Sequence, residues 1–331
     1  MGGVKTLKVN STESGMRVDR WFKQHFPGLG YSQLQKILRT GQVRVDGGRV
    51  KAAQRLEEGQ EVRVPPLGPM SPEICRPKPV TSKADARDLK ARVLHRDKDI
   101  LVINKPPGLA VQGGSGIRKN LDAMLDSLCF DSPERPRLVH RLDKDTSGVL
   151  VLARNTASAR KLNAAFRSRD VRKLYWAVVA GVPGPEEGMI DLSLAKKGSS
   201  GAERVIPDNK GGKKAKTYFR VIDQAGRKAA WVAFEPLTGR THQLRVHAIA
   251  LDTPILGDGK YGGSQAFLEG EDIAKQLHLH AKAIRIPKTG GGYLEISAPL
   301  PEHMQKTFSS LGFTAENERE LFIDSNELKD S

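Results

Sequence analysis

One short segment of the chain combines a carboxylate with basic residues and is the best candidate for a reactive site. It is the run His-Arg-Leu-Asp-Lys-Asp-Thr-Ser-Gly-Val-Leu at 140–150. Asp143 follows Arg141 by two residues and precedes Lys144, and neighbouring positive charge favours the ionised, nucleophilic form of a carboxylate. A turn aspartate can equally well do no more than hydrogen-bond to nearby backbone amides. The local sequence leaves both interpretations open and selects Asp143 for chemistry that needs an ionised carboxylate.

The same segment closely resembles the signature of the RluA-like pseudouridine synthases, in which the aspartate of His-Arg-Leu-Asp is the catalytic residue. Four other segments match that family: LVINKPPGLAV at 101–111, RKLYWA at 172–177, TGRTHQLR at 238–245 and QLHLHA at 276–281. The resemblance implies that Asp143 acts on the ribose of a target uridine. It does so as a nucleophile or as a proton acceptor.

The resemblance also assigns roles to three further residues. Arg240 is implied to pair with the catalytic carboxylate and keep it ionised, although the local sequence alone favours a surface arginine where Thr241 caps a helix. Tyr175 lies on a predicted strand, where a tyrosine more often belongs to the core. In the family, a ring at this position packs on the target uracil and can help remove its proton. Arg141 is implied to fill the space that the flipped base leaves, and Lys105 is a weaker candidate for phosphate contact.

The implied reaction is the isomerisation of uridine to pseudouridine. The bond to uracil nitrogen 1 breaks, the base turns while it stays bound, and its carbon 5 bonds to the ribose. Neither a metal nor an organic cofactor is expected, and the expected partner is RNA, with large-subunit ribosomal RNA as the substrate. The alternative from another class is a ribosome-associated RNA-binding protein without catalysis, in which Asp143 only closes a salt bridge.

Two other kinds of site fit the sequence poorly. The Asp-x-Asp of a phosphohydrolase should follow four or five apolar strand residues, whereas His140 and Arg141 precede Asp143. His242 and His247 are five residues apart, beyond the four-residue spacing of paired zinc ligands on a helix. The histidines of 276–281 have no accompanying carboxylates of the kind that a metal site needs. A structural role is therefore expected for these histidines.

The first 66 residues are predicted to form a separate small domain. Helices are expected over 17–26 and 32–40, a hairpin at Asp46-Gly47-Gly48, and a strand over 61–64. This arrangement resembles the S4-like (alpha-L) RNA-binding module, a small α/β domain that presents basic side chains to folded RNA. The residues that match are Arg17, Arg20, Lys36, Arg39, Arg44 and Lys51.

A proline-rich linker is predicted over 67–91, followed by a catalytic domain over 92–313 and an acidic tail over 314–331. The catalytic domain has the alternation of an α+β fold with a mixed, mainly antiparallel sheet, which agrees with the pseudouridine synthase fold that the resemblance implies. Strands are expected over 100–104, 148–153, 173–180, 216–222, 229–235, 278–286 and 294–298, and helices over 121–129, 157–167 and 241–251. The stretch 83–90 fits linker or helix, and 196–214 is expected to be a mobile basic loop.

Charge and composition limit the possible partners. The chain has 331 residues, with 54 Lys and Arg against 38 Asp and Glu, and a formal charge of +16. A polyanion is therefore the natural partner. Neither a signal peptide nor a membrane span is evident, so a cytoplasmic, monomeric protein without a membrane partner is expected. Cys75 and Cys129 cannot assemble a disulfide framework.

Overall fold

The fold is given by a computed structural model that describes residues 3–67, 82–113, 117, 119–198, 203–270, 272–288, 290–314 and 322–323. The chain divides into two units, Met1–Val80 and Thr81–Ser331. Most of the predicted linker and of the predicted acidic tail lies outside the described residues. Across the described ranges, no helix has both the length and the apolar character needed to cross a membrane.

The N-terminal unit packs two amphipathic helices on a small antiparallel sheet. Helix α1 spans Val18–His25 and helix α2 spans Tyr31–Arg39. The sheet has the order β1-β4-β2-β3, and its strands are β1 Lys5–Lys8, β2 Arg44–Val45, β3 Gly48–Arg49 and β4 Glu61–Val64. Asp46 and Gly47 have φ values of 48° and 77°, the left-handed pair that a two-residue hairpin favours.

The second unit is built on one eleven-stranded sheet with the order β11-β10-β12-β13-β9-β14-β8-β6-β5, with β15 added on β14 and β7 on β8. Its strands are β5 Val93–Arg96, β6 Ile100–Lys105, β7 Arg137–Leu138, β8 Ser147–Ala153, β9 Arg172–Ala180, β10 Glu187–Lys197, β11 Arg204–Pro207, β12 Lys213–Ala225, β13 Ala229–Pro236, β14 Leu279–Pro287 and β15 Tyr293–Ser297. Every pairing is antiparallel except that of β8 with β14. The predicted mainly antiparallel α+β fold is confirmed.

Five helices accompany this sheet among the described residues: α3 Lys83–Ala91, α4 Leu121–Met124, α5 Thr156–Ser168, α6 Gln243–Ala250 and α7 Glu302–Leu311. The stretch 83–90 is thus helical, because Ser82 caps α3 by accepting a hydrogen bond from the Asp85 N–H. The prediction of a mobile loop over 196–214 is wrong where the structure describes it. Strand β11 and the ends of β10 and β12 lie there, and these strands are formed by backbone pairing, with few apolar residues to signal them.

The central strands are buried on both faces and fix the loops at their ends. Every residue of β8 and of β13 is buried. Gly148, with φ 106°, allows β8 to approach β14, since a Cβ there would lie 2.2 Å from the carbonyl oxygen of Ala281. This close approach brings the segment before β8, which contains Asp143, next to β14 and β9.

Candidate active site

A cleft of about 500 Å³ brings together four separate parts of the chain. Its walls come from the segment 140–146, from the segment 166–175 that joins the end of α5 to the start of β9, from the segment 236–245, and from Leu279 of β14. Four residues selected from the sequence line it: Arg141, Asp143, Tyr175 and Arg240. The cleft therefore combines motifs that are far apart in the sequence into one candidate site.

The loop that carries Asp143 is anchored on both sides of the carboxylate. Leu142 is 4% exposed and packs in the core. The Nε2 atom of His140 accepts a hydrogen bond from the Val151 N–H at 2.8 Å, and its ring stacks on Phe166. Burial lowers the pKa of His140 to about 3, so the ring is neutral and can accept this bond. The side chain of Asp143 is 24% exposed, which leaves it accessible from the cleft.

Lys105 holds the other end of the same loop. Its side chain is fully buried, and Nζ donates hydrogen bonds of 2.8 to 2.9 Å to the carbonyl oxygens of Leu109, Pro106 and Lys144. Burial lowers the pKa of Lys105 to about 7, against the opposing charges of Asp145 and Asp143. The weaker interpretation of Lys105 as a phosphate contact is therefore wrong, because backbone carbonyls enclose its ammonium group, and the role of this turn is structural.

Tyr175 faces the cleft from β9, as strand alternation predicts. Lys173, two residues earlier, lines the same cleft, while Leu174 and Trp176 are buried in the core on the other side of the strand. Burial, together with the charge of Asp143, raises the pKa of Tyr175. Burial lowers the pKa of Lys173 to about 8. The phenol of Tyr175 is thus protonated at neutral pH and lies within the field of Asp143.

Arg240 lines the cleft but does not form the expected ion pair. Its Nε donates a hydrogen bond to the Lys214 carbonyl oxygen at 3.1 Å, and its backbone N–H bonds to Gln243 Oε1 at 3.0 Å. Within the described residues, no ion pair joins Arg240 to Asp143. Helix α6 begins at Gln243, so Arg240 lies in the turn before it, and its guanidinium is held at the start of β12 by Lys214.

Arg245 is the arginine whose charge couples to Asp143. Its guanidinium makes two hydrogen bonds, of 2.7 and 2.5 Å, to Asp258, which is 2% exposed. Burial disfavours the charged form of Arg245, but the hydrogen bonds and charge of Asp258 and the charge of Asp143 outweigh it and raise the pKa of Arg245. Arg245 is also part of the 238–245 motif, but no local feature of the motif favours it over Arg240.

His242 is a further residue at the carboxylate. Its Nε2 lies 3.9 Å from Asp143 Oδ2, and its Nδ1 lies 2.7 Å from the hydroxyl of Tyr261. The same hydroxyl accepts a hydrogen bond from the Val205 N–H at 3.1 Å, so its own proton is directed to Nδ1. Burial lowers the pKa of His242. We infer that the neutral ring carries its proton on Nε2, facing the carboxylate.

Comparisons with known proteins identify the family of this chain. Residues 99–250 match the family of RNA pseudouridylate synthases. The chain is 36% identical over 312 residues to the ribosomal large subunit pseudouridine synthase C of Pasteurella multocida, which covers 93% of this chain and 94% of that protein. The chain belongs to the RNA pseudouridylate synthase family. The protein of the same name from Escherichia coli is 35% identical over 314 residues, covering 93% of this chain and 97% of that protein.

A solved structure extends the likeness of this pseudouridylate synthase to the fold. Human RNA Pseudouridylate Synthase Domain Containing 4 superposes with a TM-score of 0.58 at 31% identity, covering 69% of this chain and 95% of that chain. The protein is thus an RluA-like RNA pseudouridine synthase, an isomerase that acts on RNA. None of these findings supports the alternative of an RNA-binding protein without catalysis.

Proposed function

We propose that this enzyme isomerises uridines of large-subunit ribosomal RNA, with Asp143 as the reacting carboxylate. The two curated relatives above are named as ribosomal large subunit pseudouridine synthases, and the formal charge of +16 suits a polyanionic substrate. The observation that carries the assignment of the site is the position of Asp143. It lines the same cleft as Tyr175, and its Oδ2 atom lies 3.9 Å from Nε2 of His242.

The proposed chemistry exchanges one bond for another. The bond between ribose carbon 1 and uracil nitrogen 1 breaks, and a bond from carbon 1 to uracil carbon 5 forms. Carbon 5 loses its proton, and nitrogen 1 of the released ring gains one. Asp143 supports the cleavage as nucleophile or as acceptor of a ribose proton. The ring of Tyr175 supplies an apolar face for the uracil while it turns, and its hydroxyl helps to carry away the proton that carbon 5 loses.

A uridine stacked in RNA must first leave its stack, at a cost of a few kcal/mol. We propose that Arg141 helps to offset this cost. Its side chain is exposed at the wall of the cleft, where its guanidinium can occupy the space that the flipped base vacates. Phosphate contacts elsewhere on the protein would add to this compensation.

The N-terminal unit is proposed to act as an S4-like RNA-binding domain. Its two helices, antiparallel sheet and exposed basic residues support this role. Arg17 holds Asp19 through its guanidinium, and Arg44 donates to the Gly47 carbonyl oxygen. The others that were selected from the sequence are also exposed: Arg20, Lys36, Arg39 and Lys51. We further propose that the enzyme works in the cytoplasm, as a monomer, without a metal or organic cofactor.

The substrate is tested by mapping pseudouridines across ribosomal RNA from cells with and without the gene. The proposal expects defined positions of large-subunit RNA to lose the modification when the gene is absent. Loss confined to transfer RNA would contradict the substrate class and leave the enzyme class intact.

We predict that Tyr175→Phe lowers turnover more than RNA affinity. The hydroxyl lies in the field of Asp143, whereas the ring that packs on the uracil is retained. A fall in kcat of about tenfold to a hundredfold, with less than a threefold change in Kd, is expected in a tritium-release assay. An equal loss of turnover and affinity would contradict the role.

We also predict that removal of residues 1–66 weakens RNA binding and flattens its salt dependence while the remaining domain stays folded. The basic residues of the deleted unit would no longer contact phosphates. Titration of ribosomal RNA fragments at several salt concentrations measures the first effect, and thermal unfolding measures the second. Unfolding of the remainder would refute the proposed domain boundary.

A further inference from the structure

A second groove, of about 540 Å³, adjoins the cleft. It lies between β10, β11 and the start of β12, and it shares three residues with the cleft: Gly239, Arg240 and Thr241. A molecule that extends from the cleft past the turn formed by these three residues would enter the groove directly.

The charged residues that line this groove are all cationic: Lys196, Lys213 and Arg240. In the part of the chain that the structure describes, neither Lys213 nor Arg240 has a carboxylate partner. Lys196 lies 3.2 Å from Glu203, and these two side chains are 56% and 51% exposed. Such an exposed pair contributes little to stability, so Lys196 can exchange Glu203 for another anion.

The groove is held in shape by contacts that also reach the active site. Gln243 fixes the turn that carries Arg240, since its Oε1 accepts from the Arg240 N–H and its Nε2 donates to the Lys216 carbonyl oxygen at 3.0 Å. The Tyr261 hydroxyl that contacts His242 also accepts from the Val205 N–H of β11. These shared hydrogen bonds therefore connect the groove to the cleft that contains Asp143.

We infer that this groove binds the sugar–phosphate backbone of the RNA strand next to the target uridine, an inference that rests on the proposed function. Lys196, Lys213 and Arg240 contact successive phosphates, and Arg240 marks the junction with the cleft. The other lining side chains are small or aliphatic, without an aromatic ring on which bases could stack. The groove thus increases affinity for RNA and positions the strand, but it does not discriminate between nucleotide sequences.

The test compares Lys196→Ala/Lys213→Ala and Arg240→Ala with a matched control, Arg227→Ala/Lys228→Ala. The control residues are exposed at the opposite end of β12, in the turn to β13. Equilibrium binding of a ribosomal RNA fragment is measured across salt concentrations with the full-length protein. The slope of log Kd against log salt should fall by about 0.7 to 0.9 for each lost contact. KM should rise roughly tenfold, more than kcat falls.

Groove variants with the salt slope of the control would overturn the inference. A fall in kcat at saturating RNA, with KM unchanged, would instead place Arg240 with the reacting groups and overturn its part in the groove. The salt-slope result is separate from the fate of the proposed function, because equilibrium binding is measured without turnover. Failure of the proposed function would show as isomerisation that persists in Asp143→Asn.

Discussion

Asp143→Asn should abolish isomerisation while RNA binding is retained. The substitution keeps the shape of the side chain but removes the charge that attacks the ribose or accepts its proton. We expect turnover to fall by at least about 10⁴-fold. Tritium release from RNA that carries uridine labelled at carbon 5 measures the loss, and Kd should change by less than threefold.

Asp145→Asn is the matched control for this experiment. Asp145 lies two residues further along the same loop, outside the lining of the catalytic cleft. The Asp145→Asn variant should keep most of its turnover. Its expected effect is limited to the loss of one negative charge that favours the charged form of Lys105. Isomerisation that survived Asp143→Asn, or that was lost equally in both variants, would show that residue 143 is not the reacting carboxylate.

Arg245→Lys should produce the second large loss, a fall in kcat of about 10²-fold to 10³-fold. A lysine retains the charge but cannot reproduce the two parallel hydrogen bonds to Asp258. The positive charge near Asp143 would therefore lose its fixed position. Turnover at saturating RNA is the measurement, and Arg240→Ala, which should chiefly raise KM, is the comparison.

Neutral substitutions of Arg245 should also change stability, because they leave the buried carboxylate of Asp258 without its charged partner. Removing its partner altogether with Arg245→Ala should lower the free energy of unfolding by about 3–5 kcal/mol. The double variant Arg245→Met/Asp258→Asn removes both charges and should recover much of that stability without recovering turnover. Recovery of turnover in the double variant would show that Arg245 has a structural role alone.

The 238–245 motif shows why sequence could identify the site without assigning its contacts. The motif offers two arginines, and both line the cleft. The resemblance selected Arg240, and the helix was expected to begin at Thr241. The helix begins at Gln243, Arg240 bonds to the Lys214 carbonyl oxygen, and Arg245 bonds to Asp258. Helix starts are among the features that local sequence fixes least well.

Strands β10 and β11 show the same limit in the sheet. Buried strands such as β8 have continuous apolar runs that identify them, and the predicted strand over 148–153 agrees with Ser147–Ala153. Strand β10 is mostly exposed or half-buried, and β11 carries basic and acidic neighbours. These strands are held by backbone hydrogen bonds to one another and to β12, and the stretch 196–214, which contains β11 and the end of β10, is rich in Lys and Gly and so resembles a loop in composition.

The sequence by itself predicted the class of fold from its buried strands, and its resemblance to known motifs predicted the family and singled out Asp143 as the candidate carboxylate, because these signals lie in consecutive residues. Only the tertiary structure decided what surrounds Asp143: the neutral His242, the Arg245–Asp258 pair and the buried ammonium group of Lys105. Each of these depends on a partner from a different segment, and its charge state depends on burial. Neither the contact with that partner nor the burial exists until the sheet has formed.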